Sequence, residues 1–480
     1  MEKIFVGRTQ ESKILRELLA TPESEFVALY GRRRVGKTFL IETVYKKQIV
    51  FSITGLNGVS SKLQLENFKN ILNAQMGGTS ELLSPPTSWL QAFFFLQTHL
   101  AKIKRKEKMV IFIDELPWLA TGKSNFLPAL ENFWNSWASK RSDIILVVCG
   151  SAASWMISNV VKSRGGLHNR ITRRIRLLPF MLYETEQFLK NRNIKIDRYA
   201  ILQLYMTMGG IPHYLKEVRK GKSVTQVIDE VCFSKDGLLR DEFKNLYEAL
   251  FSKPEKYIDI IKTLAKKPKG LTRNEIIKTC KLSSGGTTTR VLEGLEESGF
   301  IEKYYPVGND LKLALYKLID PYSAFYLKFI LNTKSKGEGI WLKKINSASY
   351  RSWSGFAFER LCLSHLKQIK KSLGIAGVYS EASSWRGKNF ETDEGVQIDL
   401  IIERRDNVIN VCEIKFSQDK FTITKRYAEH LKNKLSTFRQ HIKTRKPIFL
   451  TMITTFGVVE NQYSNSIVEQ EVVMSALFEK

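Results

Sequence analysis

Four residues of one short stretch have the types and spacing to hold phosphate. Gly31, Gly36, Lys37 and Thr38 fit the pattern G-x-x-x-x-G-K-[ST] in Gly31-Arg-Arg-Arg-Val-Gly-Lys-Thr38. Glycines let backbone N–H groups curl around phosphate oxygens, and the helix that starts behind them adds its positive end. In that chemistry the loop from Gly31 through Arg32, Arg33, Arg34, Val35 and Gly36 cradles the phosphates. Lys37 reaches the β- and γ-phosphates, and the Thr38 hydroxyl ligates Mg²⁺. The three arginines either assist the phosphates or only add to the local field.

An acidic pair, Asp114-Glu115, follows the apolar run Met109-Val-Ile-Phe-Ile113. An unbroken apolar run predicts a parallel strand covered on both faces, and its carboxyl end is where such sheets place chemistry. Asp114 is the candidate Mg²⁺ partner and Glu115 the candidate base for the attacking water. A second buried strand, Ile144–Cys149, ends at Gly150-Ser151. The Ser151 hydroxyl is read either as a γ-phosphate sensor or as a helix N-cap. Arginines 164, 170, 173 and 174 crowd the stretch that follows. An arginine supplied to the γ-phosphate would come from among them, with Arg170 the first candidate.

A second constellation lies far along the chain. Two apolar strand-like runs, Val396–Ile402 and Val408–Lys415, flank Arg405-Asp-Asn407. Asn407 tolerates the left-handed backbone that a three-residue hairpin needs. A turn centred on Asp406 sets Asp399 opposite Glu413, and strand alternation puts Lys415 on the face of Glu413. Two carboxylates and a lysine therefore converge. A run of basic residues from Lys415 through Lys420, Lys425, Arg426, Lys432, Lys434, Arg439, Lys443 and Arg445 to Lys446 either tracks a phosphate backbone or forms a solvated face.

The elements that must position these groups are legible in outline. Phe26–Tyr30 reads as the strand before the phosphate loop and Phe39–Tyr45 as the helix after it. A strand near Ile49–Ile53 and amphipathic stretches near 62–76 and 88–104 complete an α/β pattern. Between 251 and 339 the pattern changes. Tyr257–Ala265 is helical, and Leu271-Thr-Arg-Asn-Glu275 is a capping box with Thr272 as cap. A third helix spans Gly286–Glu297, followed by a hairpin with its turn at Gly308–Asp310. Three helices and a hairpin is the winged-helix order. Its third helix offers Thr287, Thr288, Thr289 and Arg290 to DNA. Glu293, Glu296 and Glu297 on the same helix favour a connector instead.

At 480 residues the chain exceeds one core, and about three domains are expected. Seventy-five basic against 48 acidic residues give a net charge of +27, which favours a polyanionic partner, nucleic acid first. The five cysteines are scattered without metal-ligand spacing. The start of the chain has no signal-like apolar region, and the longest nearly apolar run, Ile144–Ile157, is too short to span a bilayer. A cytoplasmic protein with no membrane partner is expected.

Taken in order, Phe5-Val-Gly-Arg8, the loop, Ile113-Asp-Glu115, Cys149-Gly-Ser151, Arg170 before Leu178-Pro-Phe180, and Met208-Gly-Gly-Ile-Pro212 resemble the archaeal-type P-loop ATPases. These stand in the AAA+-related signal-transduction branch. The resemblance covers roughly residues 1–250. It implies a five-stranded parallel P-loop NTPase core with a helical lid, and ATP with Mg²⁺. It also implies a place near the adenine for Gly210 and Pro212, which alternatively form a plain helix-breaking turn. The distal pattern, with Glu359 on the amphipathic helix around Gly355–Leu361, resembles the PD-(D/E)XK nuclease superfamily. It implies catalytic roles for Glu359, Asp399, Glu413 and Lys415, with Asp399 and Glu413 holding Mg²⁺. The expected architecture is thus α/β: a P-loop ATPase domain over 1–250, a winged-helix domain with linker over 251–339, and a restriction-endonuclease-like α/β domain over 340–480. ATP and DNA are the expected partners, and a homo-oligomer is left open.

Overall fold

The computed structural model describes residues 5–75, 84–162, 165–167, 169–251, 253–307, 314–333, 339–390 and 392–480. Arg164, the Gly308–Asp310 turn and residues 334–338 of the basic linker lie outside the described residues. The chain divides into two compact units: residues 1–178 with 248–252, and residues 179–247 with 253–480.

The first unit is built on five parallel strands: β1 Glu25–Tyr30, β2 Ile49–Thr54, β3 Met109–Asp114, β4 Ile144–Gly150 and β5 Arg173–Arg176. They lie in the order β2-β3-β4-β1-β5. β3 and β4 are buried at every position, as their unbroken apolar runs predict. One face is covered by the helices Ser61–Gln75, Trp89–Lys102 and Phe126–Ser136. Phe68, Trp89, Phe93, Phe126 and Phe133 form the continuous aromatic core there. The consequence for function is the place of β4. It sits between β1 and β3, so the chain leaving β4 at Ser151 emerges between the phosphate loop and Asp114-Glu115.

The second unit begins with the helices Leu182–Asn191, Arg198–Met208, Pro212–Leu215 and Val224–Phe233. The boundary between compact units thus falls at Leu178 rather than near residue 250. The reason is packing with later segments. Tyr214 and Phe233 lie against Tyr322 and Trp341 (ring centroids 5.6 and 5.9 Å). The buried His365 accepts a hydrogen bond at Nε2 from the Leu182 N–H (3.1 Å), and the Tyr322 hydroxyl donates to the Leu239 carbonyl (2.6 Å). The 179–247 helices turn apolar faces to these partners, and burying such faces is the dominant favourable contribution to packing.

Within this unit, the helix Pro254–Ala265, β6 Leu271–Thr272, the helices Arg273–Cys280 and Gly286–Glu297, β7 Ile301–Tyr304 and β8 Leu315–Leu318 follow one another. The strands pair antiparallel in the order β6-β8-β7. The capping box is formed: the Thr272 hydroxyl accepts from the Glu275 N–H at 3.3 Å, and the Glu275 carboxylate accepts from the Thr272 N–H at 2.6 Å. On the third helix Thr288 is buried and donates to the Ser283 carbonyl, while Thr287, Thr289 and Arg290 are exposed.

The last sheet is mixed: β9 Ser380–Lys388, β10 Gly395–Arg404, β11 Ile409–Lys415, β12 Ile448–Thr454 and β13 Gln470–Val473, in the order β13-β12-β11-β10-β9. The pairs β9–β10 and β10–β11 are antiparallel, and the pairs β11–β12 and β12–β13 are parallel. The long helix Ala348–Ser364 carries Glu359, and the helix Lys425–Ile442 carries Lys425, Arg426, Lys432, Lys434 and Arg439 of the basic run. Among the described residues, no helix is long and apolar enough to cross a membrane. All five cysteines are free thiols, and four of them are buried.

Candidate functional site

The phosphate loop owes its shape to three backbone requirements. Gly31 has φ +153°, and a Cβ there would stand 2.2 Å from the Leu177 carbonyl oxygen, so only glycine fits. Arg34 and Gly36 are left-handed (φ 71° and 93°), which turns successive N–H groups inward ahead of the helix Lys37–Val44. Arg8, itself left-handed at φ 56°, straps the loop from behind. Its guanidinium donates to the Val35 carbonyl (2.9 Å) and to the Leu178 carbonyl (2.6 Å). Val35 and Arg32 are buried, Arg33 is exposed and Arg34 is half-buried. The three arginines therefore occupy three different environments.

Three of the expected site residues converge on Lys37. Its buried ammonium donates to the carbonyls of Gly31 (2.9 Å) and Arg32 (3.1 Å) and to the Ser151 hydroxyl (3.0 Å). Ser151 in turn donates its hydroxyl to Glu115 Oε1 (2.5 Å) and its backbone N–H to Glu115 Oε2 (3.1 Å). Glu115 is thus held by both carboxylate oxygens. Its backbone is left-handed (φ 46°), a conformation that costs energy in a non-glycine residue and projects the side chain off the strand end. Thr38 Oγ1 donates to Asp114 Oδ2 at 2.6 Å, and Asp114 Oδ1 accepts the Glu115 N–H. The cap of the helix Ala153–Met156 is Ala152. Of the two readings of Ser151, the N-cap is therefore removed, and the hydroxyl bridges lysine to carboxylate. Nearby Cys149 is kept a thiol, its pKa pushed well up by burial and by the charge of Asp114.

Hydroxyl and carboxylate oxygens side by side suit a hard cation such as Mg²⁺. Thr38 and Asp114 would hold it, and the cation would supply charge neutralisation to bound phosphates.

A family match lies over this cluster. Residues 5–218 match an ATPase domain found predominantly in Archaea. The match supports ATP as the ligand of this domain and nucleotide hydrolysis as its class of reaction. An uncharacterized protein of Methanocaldococcus jannaschii is 26% identical over 399 residues, 81% of this chain and 83% of that protein. Among solved structures, the Walker-type ATPase PABY2304 of Pyrococcus abyssi is similar at 18% identity over 67% of this chain and 96% of that one (TM-score 0.49). The ORC2 protein of Aeropyrum pernix, in ADPNP–ADP complexes, is similar at 14% identity over 72% and 98% (TM-score 0.43).

Other expected residues of the ATPase domain have settings of their own. Arg170 is exposed in the turn before β5, with Arg173 and Arg174 also exposed on β5 itself. Gly210 belongs to the second unit. Its carbonyl accepts the Phe180 N–H at 2.7 Å, and a Cβ on it would stand 1.9 Å from the Phe180 carbonyl oxygen. Pro212 opens the short helix Pro212–Leu215. Close approach and helix initiation give this Gly-Ile-Pro element a structural reason of its own.

In the last sheet the strands expected to form a hairpin, β10 and β11, pair antiparallel. Leu400 pairs with Cys412 and Ile402 with Asn410, and Asn407 is left-handed (φ 66°). The paired register stops at Leu400, and β10 has an irregularity against β9 between Ile398 and Ile401, so Asp399 is not itself paired with Glu413. Glu413 Oε1 pairs with Lys415 at 2.9 Å. Two residues outside the expected set complete the shell: Lys434 binds Glu413 Oε2 at 2.7 Å and the Tyr427 hydroxyl donates to Oε1 at 2.6 Å. Their signal was spacing. Tyr427 and Lys434 lie two turns apart on one face of the helix Lys425–Ile442. Burial works to raise the Glu413 carboxyl, but Lys434 and Lys415 outweigh it and hold the pKa at about 2. Glu359 lies near enough to Asp399 to feel its charge. Burial first, then Asp399, pushes its pKa up to about 7 against the pull of Lys317. Asp399 accepts from Gln397 Nε2 at 2.5 Å.

This arrangement does not fit a bound divalent cation. Among the described residues no group of three His, Cys, Asp or Glu side chains gathers to hold a metal ion. Ammonium groups stand against Glu359 and Glu413 instead. The basic run divides accordingly. Lys415 and Lys434 pair with Glu413 and Lys446 pairs with Glu403, whereas Lys420, Lys425, Arg426, Lys432, Arg439, Lys443 and Arg445 are exposed.

Proposed function

We propose that this chain is an ATP-binding and ATP-hydrolysing switch whose nucleotide state controls a DNA-acting, nuclease-like C-terminal domain. One observation carries the reading: Lys37, Ser151, Glu115, Asp114 and Thr38 form a single hydrogen-bonded network at the carboxyl end of three parallel strands. Lys37 gives its donors to neutral acceptors, so its charge is available to a γ-phosphate. Glu115, fixed at both oxygens by Ser151, would accept the proton of the attacking water, and Ser151 would exchange its bond to Lys37 for one to the phosphate. The loop residues Gly31 to Thr38 cradle the nucleotide, and Gly210 and Pro212 are proposed to lie on the adenine side.

The exposed Arg170 suits supply to a neighbouring copy's γ-phosphate, which would make hydrolysis depend on a homo-oligomer. The net charge of +27 and the exposed cations of the helix Lys425–Ile442 support DNA as the partner, and the segment 251–339 has the helix and strand order of a winged helix. The assignment is completed by the cytoplasm as the place of action.

A second reading is favoured by the ion pairs of the last sheet. With Glu359 and Glu413 both lysine-paired, the C-terminal domain grips nucleic acid without cutting it. ATP turnover measured with and without DNA tests the switch: DNA should change the rate in the wild-type chain and not in a chain whose Lys425, Arg426 and Lys432 are neutralised. A rate indifferent to DNA in both would end the DNA reading. Cleavage assayed on the same preparation, with Glu413→Ala and Lys415→Ala as controls, separates cutting from gripping.

A further inference from the structure

The strands β2 and β3 stay paired as far as Thr54 and Asp114, and there both chains leave the sheet. β2 runs on into Gly55-Leu56, and β3 into Glu115 and the short helix Leu116–Leu119. Glu115 makes this exit in the left-handed conformation, which a non-glycine residue keeps only where its surroundings over-determine it. Its peptide groups are gripped on the spot. Asp114 Oδ1 accepts the Glu115 N–H (2.9 Å) and the Glu115 carbonyl accepts the Trp118 N–H (2.9 Å). Gly55 donates its N–H to the Asp114 carbonyl (2.9 Å), and a Cβ on Gly55 would stand 2.7 Å from the Glu115 carbonyl oxygen. One side chain from a different element ties the two exits together. Gln64, on the helix Ser61–Gln75 and only 2% exposed, donates from Nε2 to the carbonyls of Leu56 (2.7 Å) and Trp118 (3.1 Å). Its Oε1 accepts the Leu56 N–H (3.1 Å). Two carbonyls facing the nitrogen and an N–H facing the oxygen leave the amide one orientation.

We propose that Gln64 is a positioning residue for ATP hydrolysis: its amide takes over where the β2–β3 pairing ends, keeps the Glu115 backbone left-handed and so keeps the Glu115 carboxylate on Ser151. The inference rests on the reading of Glu115 as the acceptor of the attacking water's proton. Glutamine is the side chain this brace requires. Glutamate would set a carboxylate against two carbonyls, and asparagine is one methylene short. Methionine has a similar length but leaves two buried carbonyls and an N–H without partners. Freeing Trp118 lets the turn that carries Glu115 relax, and a misplacement of about 1 Å at a reacting centre costs on the order of a hundredfold in rate. The three bonds of the Gln64 amide go to Leu56 and Trp118. The brace therefore acts on the rate and leaves nucleotide affinity to the loop Gly31–Thr38.

Gln64→Met in the full-length chain tests this by three measurements. Single-turnover ATP hydrolysis should slow by on the order of a hundredfold, while the Kd for ATP by titration calorimetry stays within about twofold of the parent. On a Glu115→Gln background the same change should add no further loss, because the carboxylate it positions is already gone; a merely structural role would multiply the two losses. Hydrogen exchange followed by mass spectrometry should rise in the peptide spanning 115–120 and stay level in the peptide spanning 37–44. Parental turnover in folded Gln64→Met, an equal loss of ATP affinity, or unchanged exchange over 115–120 overturns the proposal. Should Gln64→Met not fold, Gly55→Ala decides. Its new methyl meets the Glu115 carbonyl and leaves Gln64 in place, so turnover should fall with affinity kept, and parental turnover overturns the proposal. The two readings fail separately. Full turnover in Glu115→Gln removes the proton-acceptor reading, and raised exchange over 115–120 in Gln64→Met then still establishes the brace. Lost turnover in Glu115→Gln beside parental turnover in Gln64→Met keeps the reading and removes the brace.

Discussion

The phosphate loop and the C-terminal patch both combine lysines with carboxylates, and they use them in opposite ways. In the loop, Lys37 gives its donors to two carbonyls and a hydroxyl, and Ser151 stands between it and Glu115. The positive charge is held in place without being neutralised. In the patch, Lys415 and Lys434 lie directly on Glu413, and Lys317 lies on Glu359. Charge is cancelled where it stands. A hydroxyl spacer keeps a site open for an anion, whereas a direct ion pair closes it. The same residue types therefore make a receptor in one region and a closed surface in the other.

The comparison can be broken at several points. The largest effect is expected at Glu115. Glu115→Gln should lower ATP turnover by about a thousandfold while leaving nucleotide binding nearly intact. Retained turnover in a single-turnover assay would mean that Ser151 holds this carboxylate for another purpose. Lys37→Ala comes next. Losing charge-assisted bonds to phosphate should cost about 3 kcal/mol, on the order of a hundredfold in ATP affinity by titration calorimetry. An unchanged affinity would remove the claim that this charge is held available.

In the patch the currency is stability rather than ligand affinity. Lys434→Met leaves the buried Glu413 with Lys415 alone and should cost about 2 kcal/mol in denaturant unfolding, with the Glu413→Gln, Lys434→Met double variant recovering most of it. Additive losses would show that the pair is not coupled. The pH dependence follows from Glu413 as well. Its folded pKa of about 2 lies below the usual 4.5, so its stabilisation is complete above pH 4.5 and lost as the pH falls through 2.

The smallest expected effect belongs to His365. Burial holds its pKa down to about 4 from the usual 6.5, and its Nε2 accepts the Leu182 N–H. The neutral ring contributes stability above pH 6.5 that is lost as the pH falls through 4. Melting curves between pH 7 and pH 4 should slope downward in the wild-type chain and less steeply in His365→Gln.

Much of this was legible along the chain because it is local. The unbroken apolar runs named β3 and β4, the glycine spacing named the loop, and Thr272 and Glu275 named their helix start. The hairpin at Asp406 followed from one left-handed Asn and strand alternation. Less legible were the groups that long-range packing brings in. Arg8, strapping Val35 and Leu178, has nothing at its own position to announce that contact. Lys434 reads as one cation among many until the helix rests on β11. The domain boundary near 250 followed the resemblance, but the 179–247 helices bury their faces on Tyr322, Trp341 and His365.

The sequence alone thus determined which groups this protein has for chemistry: a phosphate loop, an acidic pair at a strand end, and two carboxylates with a lysine across a hairpin. Those depend on neighbours one to sixteen residues apart, where backbone geometry leaves little choice. Only the tertiary structure decided what each charge faces. Insertion of β4 between β1 and β3 put Ser151 between Lys37 and Glu115, and placement of β8 put Lys317 on Glu359. Charge pairing depends on distance in space, and the strand order that sets those distances is chosen by how whole faces are buried.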